Sequence, residues 1–292
     1  MFSSLKLNIR IGFFLAIRQI RRASLWTTGL IIFVMVLTFL NLVVVSGILV
    51  GLIQGSVDAA RTQYTSDVIL SSLNDKKYIE NSQNIVALIK TLPEVSKISA
   101  RYQEGALFEA NYKTRKATDK PNTASAQIVG ISPGDENAVT GLAGSIAEGS
   151  YLEPGDYDKV VLGQYLLKQY VPVDSPGFSA LDNVVIGTKI RMTVGEVTRE
   201  LTVKGILKSK VDEVTRSAYM VDSQLRSIIG RNDGNVDQIA IQLKEGVDPI
   251  KVREALVRSG VDQHAKVQTY ADAQPQFLKD IITTFSLSLI HI

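Results

Sequence analysis

The sequence predicts a membrane protein: one N-terminal transmembrane helix followed by an α+β domain on the far side of the membrane. Three observations lead there. Residues 23–57 carry no charged side chain. Every charge before them is basic. After them, strand-like alternation and helical spacing take turns to near the end of the chain.

The apolar run decides the class. The first 57 residues contain no acid, and their only charges are Lys6, Arg10, Arg18, Arg21 and Arg22. About 20 apolar residues span the hydrocarbon core as a helix, and unpaired backbone amides in lipid are costly enough to force helix there. Residues 30–50 form its centre. The buried helix of a soluble protein rarely runs this far without a charge. A cleaved signal peptide has an apolar region of about 7–15 residues before a small-residue cleavage site; this run is longer, and no convincing site follows it. The reading is a retained signal-anchor in the cell inner (plasma) membrane. Its basic flank places the N-terminus in the cytoplasm and the main domain outside.

Charge and cysteine usage narrow the function. The chain has 32 Lys+Arg and 29 Asp+Glu. Without the five basic residues of the N-terminal flank, 27 basic face 29 acidic side chains. The basic excess is therefore an orientation signal, and no nucleic-acid partner is expected. There is no cysteine, so disulfides and thiol catalysis are excluded. The domain is long enough to bury a core without such staples.

Residues 1–22 read as an interfacial amphipathic helix. Phe2, Leu5, Ile9, Phe13, Ala16 and Ile20 form one stripe, and Arg10, Arg18, Arg21 and Arg22 lie opposite, with Lys6 at the edge. Such a helix lays its apolar face in lipid and its cations toward anionic headgroups. Trp26 stands where an aromatic belt residue belongs. As one helix, residues 23–57 would reach about 52 Å, against a hydrocarbon core near 30 Å. The surplus, from Gly51 through Gln54, Gly55, Ser56 and Asp58 to Arg61, reads as a stalk toward the outer domain. Asn41 is strongly polar at mid-membrane depth, and such residues usually face other helices.

Past the stalk, residues 67–71 read as a strand, 78–92 as a helix stopped by Pro93, and 95–112 as strand or hairpin. Residues 114–123 form a polar, basic loop, 127–131 another strand, and Ser132-Pro133-Gly134-Asp135 a turn into a short helix. The pattern returns late: strand 236–243, a helix opened by Asp248-Pro249 and ended by Gly260, and strand 265–270. Two split β-α-β units predict one ferredoxin-like layer built from residues 58–134 and 235–275. Between them, residues 135–234 read as an inserted β-rich lobe. Within it lie a strand at 160–163 entering a helix through Tyr170, a loop at 172–178, a hairpin of 189–194 and 196–207 around Gly195, a strand at 218–221, and a helix from Asp222 or Ser223 to Ile229.

Catalytic motifs are sparse. No G-x-x-x-x-G-K-[ST] loop is present, and the glycine-rich segment 141–145 lacks its lysine. His264 has no partners at metal-ligand spacing. Glu153, Asp156 and Asp158 do not fit an EF-hand, and Asp212-Glu213 reads as a solvated turn. Neither catalytic, metal nor cofactor residues are expected, and no cofactor. Residues 276–286 begin a second apolar run. Residues 287–292 (LSLIHI) match what CTG TCT CTT ATA CAC ATC would encode, the transposase mosaic end of sequencing libraries. They are expected to be adapter-derived and are excluded from fold reasoning.

Several segments in order carry a family resemblance. The basic helix ending Phe14-Leu15-Ala16-Ile17-Arg18-Gln19-Ile20-Arg21-Arg22 precedes the first membrane helix. Val129-Gly130-Ile131-Ser132-Pro133, Glu148-Gly149-Ser150-Tyr151-Leu152 and Val160-Val161-Leu162-Gly163 follow. Gly187-Thr188-Lys189-Ile190 and Thr202-Val203-Lys204-Gly205-Ile206-Leu207 complete the set. Together they resemble the MacB/FtsX/LolC-type permeases of ABC transporters. The resemblance implies a porter-type α+β part with an inserted β-rich part, three further membrane helices, and a separate cytoplasmic ABC ATPase, since no ATPase domain is fused here. Membrane lipid, a homodimeric or heterodimeric permease partner and a periplasmic adaptor are the other implied partners. The competing classes are a single-pass anchored adaptor or sensor without transport activity, and an anchored hydrolase, against which the missing nucleophile motif speaks.

The basic flank makes a topological prediction. A reporter active only outside the cytoplasm, fused after Tyr112, should be active; activity of a cytoplasm-only reporter at that position would reverse the orientation.

Overall fold

A computed structural model of the chain describes residues 10–12, 14–15, 17–18, 24–116, 118–171, 179–276 and 278–280. Its longest element is helix α1, Leu25–Ala60, followed by a π-helical turn, Arg61–Thr65. Among the described residues this is the one helix long and apolar enough to cross a membrane. Contacts divide the chain into two compact units, residues 1–54 and 55–292.

The second unit is organised by one long strand. Four strands make its first layer: β1 (Val68–Ser71), the start of β2 (Val95–Ala110), β9 (Gln238–Leu243) and β10 (Lys266–Thr269). Their order is β10-β1-β9-β2, antiparallel throughout. Helices α2 (Ser82–Thr91) and α6 (Pro249–Arg258) pack on one face. Alternation in the strands explains this. Val68, Leu70, Ile239 and Ile241 turn inward against Ile85 and Ile89 of α2 and Val252 and Leu256 of α6. Asp248 caps α6 by accepting the Ile250 N–H at 2.9 Å, with Pro249 in the first turn.

The remaining strands close on themselves. They are β3 (Asn122–Ile131), β4 (Ile146–Gly149), β5 (Lys159–Gly163), β6 (Lys189–Val194), β7 (Val197–Leu207) and β8 (Ser217–Val221). β2 pairs with β3, β3 with β8, β8 with β5, β5 with β7, β7 with β6, and β6 again with β2, a ring of six strands. β4 adds to β7 outside the ring. Tyr102, Phe108, Ile128, Leu162, Met192 and Met220 fill the interior. A closed ring leaves few unpaired edges.

The ring corrects the expected domain boundary. Residues 102–131 do not belong with the first layer: the second half of β2 and all of β3 are ring strands. Without them residues 135–234 would have two open sheet edges. The two parts are thus one compact unit sharing β2, which pairs with β9 up to Arg101 and with β3 from Tyr102 onward. Residues 95–110 are one strand with no hairpin. The helix after 160–163 is two 3-10 turns, Gln164–Leu166 and Lys168–Tyr170, and α2 starts at Ser82, not at Tyr78. Asp212–Thr215 is the short helix α4 where a turn was expected, while Pro133–Thr140 (α3) and Asp222–Ile229 (α5) fall where expected. The loop at 172–178, the apolar run beyond residue 280 and the segment 287–292 lie outside the described residues.

Asp237, half-way through the handover, is strained electrostatically. Its N–H donates to the Arg101 carbonyl at 2.9 Å, and its carboxylate accepts the Gln103 N–H at 2.7 Å. Burial and the nearby Glu104 push its pKa from 3.8 to about 6, against the Gln103 hydrogen bond, Arg231 and Lys77. The fold therefore prefers the protonated acid. That preference is fully present below pH 3.8 and is lost as pH rises through about 6. With about 1.4 kcal/mol per pKa unit and an allowance for solvent screening, ionisation costs on the order of 2 kcal/mol at neutral pH. Asp237→Asn should therefore raise the melting temperature at pH 8 and leave it nearly unchanged at pH 3.5. An equal shift at both pH values would contradict this account.

Candidate functional site

The residues that join the C-terminal end of the long helix to the domain form a densely hydrogen-bonded site in the second unit. The π-helical turn widens the helix at Arg61–Thr65, and such turns recur at functional positions. Ser66 then takes φ 55° and ψ −150°, a conformation that costs other residues than glycine about 1–3 kcal/mol. It is held on both sides. The Thr65 hydroxyl donates to the Ala60 carbonyl at 3.2 Å, and the Asp67 N–H donates to the Ile241 carbonyl at 3.1 Å.

Asp67 ties the helix end to the layer. One carboxylate oxygen accepts Arg61 Nη2 at 2.6 Å and Nε at 2.9 Å; the other accepts the Leu243 N–H at 2.8 Å. The Arg61 guanidinium lies 4.5 Å from the Tyr270 ring centre. The hydrogen bond to Asp67, opposed by burial, raises the Arg61 pKa. Gln63 accepts a hydrogen bond from Ser209 at 2.5 Å, which reaches from the ring side. Ala59 and Tyr64 pack with Val129, Ile131, Leu207, Val211 and Tyr219 on the outer wall of the ring.

At the centre sits a buried ion pair. Arg101 is 1% exposed and Glu136, in the first turn of α3, is 1% exposed. Arg101 Nε and Nη2 reach the two oxygens of Glu136 at 2.9 and 2.8 Å, a bidentate fork. Ser99 and Thr140 donate to the same carboxylate at 2.6 and 3.0 Å. Burial alone would raise the Glu136 pKa; Arg101 and these donors outweigh it and hold the group below the ordinary range. Burial alone would lower the Arg101 pKa, and Glu136 outweighs it in the same way. Arg101 Nη2 also donates to the Tyr64 carbonyl at 2.7 Å, Nη1 lies 3.4 Å from Gln238 Oε1, and the guanidinium is 4.8 Å from the Tyr64 ring centre. The last carbonyls of a helix lack partners and carry the negative end of its dipole. A strand arginine, fixed by a helix glutamate, supplies that cap here.

Beside this clamp opens a cleft of about 400 Å³, lined by Ala60, Tyr64, Ile69, Val211, Gln238 and Gln268. Its walls come from the helix end, β1, β9, β10 and the segment around Val211.

Of the sequence-predicted residues, Gly51, Gln54, Gly55, Ser56 and Asp58 lie in α1 and are exposed, and Arg61 is the one that enters the clamp. Arg10, Arg18 and Trp26 are exposed, the first two in helical conformation; Lys6, Arg21 and Arg22 lie outside the described residues. Asp156 accepts Lys204 and Asp158 accepts Arg199, at 2.6 and 2.8 Å. Sequence reading missed Tyr64, Asp67, Arg101, Glu136 and Gln238. The available signal was Arg101 itself, a cation inside the alternating run 98–101.

The family model for the MacB-like periplasmic core domain matches residues 28–259. Among solved structures, the periplasmic region of MacB from Actinobacillus actinomycetemcomitans is similar at 15% identity and a TM-score of 0.50, covering 78% of this chain and 98% of that one. The extracellular domain of the noncanonic ABC-type transporter YknZ from Gram-positive bacteria is similar at 14% identity and a TM-score of 0.43, covering 69% and 98%. A domain of a putative permease protein from Porphyromonas gingivalis gives 14% identity and a TM-score of 0.40, covering 72% and 92%. The first likeness is one of fold. No curated protein matches the chain.

The ion pair makes a stability prediction. Removing one partner of a buried pair leaves an uncompensated charge and typically costs about 3–5 kcal/mol. Glu136→Gln should lower the unfolding free energy of the domain by about that much at pH 7. The difference should shrink as pH falls, because the stability from a depressed pKa is fully present above the unfolded value and is lost as pH falls through the lower folded one. Denaturant melts of both proteins at pH 7 and pH 3 check this.

Proposed function

The chain belongs to the MacB-like periplasmic core domain family, and on that premise we propose that it is the permease subunit of an ABC transporter of the MacB/FtsX/LolC type. ATP hydrolysis by a separate cytoplasmic subunit would be coupled to work on a substrate or partner outside the cytoplasm. We read the four-stranded layer as the ferredoxin-like porter-type part and the ring as its insertion.

One observation carries the reading. A helix apolar enough to cross a membrane has its outer end capped by a residue of the domain it leads into. An anchor needs only to tether, and a flexible linker serves that purpose. A transmission element needs its end fixed in orientation, and the Arg61–Asp67 pair, the Arg101 cap and the Ala59–Tyr64 packing fix it. In the proposed cycle, nucleotide binding at the ATPase changes the relation between two permease copies, and α1 carries that change to the outer domain. The coupling requires contacts that differ between two states. The chain itself has no phosphate-binding loop, so nucleotide chemistry is assigned to the partner and no enzymatic activity to this subunit.

The test uses the full-length permease with its ATPase. These 292 residues contain no cysteine; with any cysteine elsewhere in the full-length permease replaced by serine, Lys120→Cys, at an exposed position, accepts a single fluorescent label. ATP should change the label signal when the ATPase is present and leave it unchanged when it is absent. Proline in a helix interior costs about 3 kcal/mol or kinks it. Gln54→Pro and Ser56→Pro should therefore insert, assemble and hydrolyse ATP, yet lose the ATP-dependent signal; Gln54→Ala and Ser56→Ala should keep it. Proline variants that respond like wild type would favour an anchored adaptor.

A further inference from the structure

We propose that Arg101 is the positioning residue through which the membrane helix acts on the layer and the ring at once. The proposal rests on the permease reading above and goes beyond it by assigning the coupling to one side chain.

The placement is specific. Arg101 is the last residue of β2 paired with β9, opposite Gln238; its neighbour Tyr102 is the first paired with β3, opposite Gly130. Its backbone carbonyl accepts the Asp237 N–H at 2.9 Å, where the chain returns from the ring to the layer. Its side chain reaches the helix end at the Tyr64 carbonyl, the layer near Gln238, and α3 at Glu136. Glu136 holds the guanidinium plane, and Nη2 is thereby aimed at the Tyr64 carbonyl of the helix end. A rotation or withdrawal of the π-helical turn breaks or re-aims the Tyr64 hydrogen bond. The same movement loads β2 at the residue where its partner changes.

A cation used only to offset Glu136 would need charge and no fork. Lysine supplies the charge as a point and cannot bond the carboxylate bidentately while reaching a separate carbonyl. This separates a positioning role from a merely structural one. Arg101→Lys keeps the ion pair and loses the reach to Tyr64. A second variant, Arg101→Met with Glu136→Met, removes both charges together, a replacement that buried pairs often tolerate.

The experiment uses the full-length permease and its ATPase, labelled at Lys120→Cys, with melting temperature, ATP hydrolysis and the ATP-dependent signal measured on the same preparations. Arg101→Lys is expected to melt within a few degrees of wild type, to hydrolyse ATP, and to lose most of the ATP-dependent signal. The double Met variant is expected to do the same. A folded Arg101→Lys protein with the full wild-type signal overturns the proposal. If the wild type itself shows no ATP-dependent signal, the permease reading falls first, so the two failures are distinguishable.

Discussion

The buried pair of Arg101 and Glu136 is the constraint around which the rest of the second unit is arranged. An ion pair taken out of water gains Coulomb energy but loses hydration, and the balance is favourable only when the remaining lone pairs and N–H groups are satisfied. Here they are. Glu136 receives Arg101 twice, Ser99 and Thr140. Arg101 spends its remaining reach on the helix end and Gln238. The pair thus cannot be satisfied unless α3, β2, β9 and the π-helical turn are all in place. That dependence makes it a keystone of assembly more than a source of net stability.

The shared strand β2 explains why the layer and the ring form one unit. A strand that simply linked two lobes would allow each to move by rotation about its backbone. β2 instead stays paired along almost its whole length, changing partner between Arg101 and Tyr102. The return segment is held by side chains with charge: Arg231 lies 4.0 Å from the Tyr78 ring centre, and Arg226 donates to the Asp233 and Asn235 carbonyls at 2.7 Å. The cost of this junction appears at Asp237, whose carboxylate is held in a setting that favours its neutral form.

Much of this was legible from periodicity. The apolar run, the alternation at 189–207, the Asp248-Pro249 helix start and the late repeat of strand, helix and strand all come from local patterns that the structure keeps. The ring closure was not legible, because it depends on which edges meet: β6 touches β2 through only Leu107, Phe108 and Glu109 against Thr193, Met192 and Arg191. Those residues give no pairing signal of their own. The clamp was legible only in part. Arg61 was singled out from its place at the end of the stalk, but its partner function came from Asp67, read there as the start of a strand. Arg101 and Glu136 are 35 positions apart, on a strand and a helix, and nothing in either local pattern marks them as a pair.

The distribution of stiffness along the long helix completes the argument. Gly47, Gly51 and Gly55 follow one another at four-residue spacing, so they share one face of α1. An added Cβ at any of them would meet nothing within 4 Å among the described residues. Each lowers helix propensity by roughly 1 kcal/mol relative to alanine, so the segment they span is the easiest part of the helix to bend. The division between the two compact units falls there, between Gln54 and Gly55. Immediately beyond, Ala59 to Asp67 is fixed by packing, ion pairs and the Arg101 cap. A tether with its compliance at the attached end would lose any applied displacement locally. A seat fixed by packing, an ion pair and a side-chain cap keeps the helix end from fraying, which is what the proposed coupling through β2 requires.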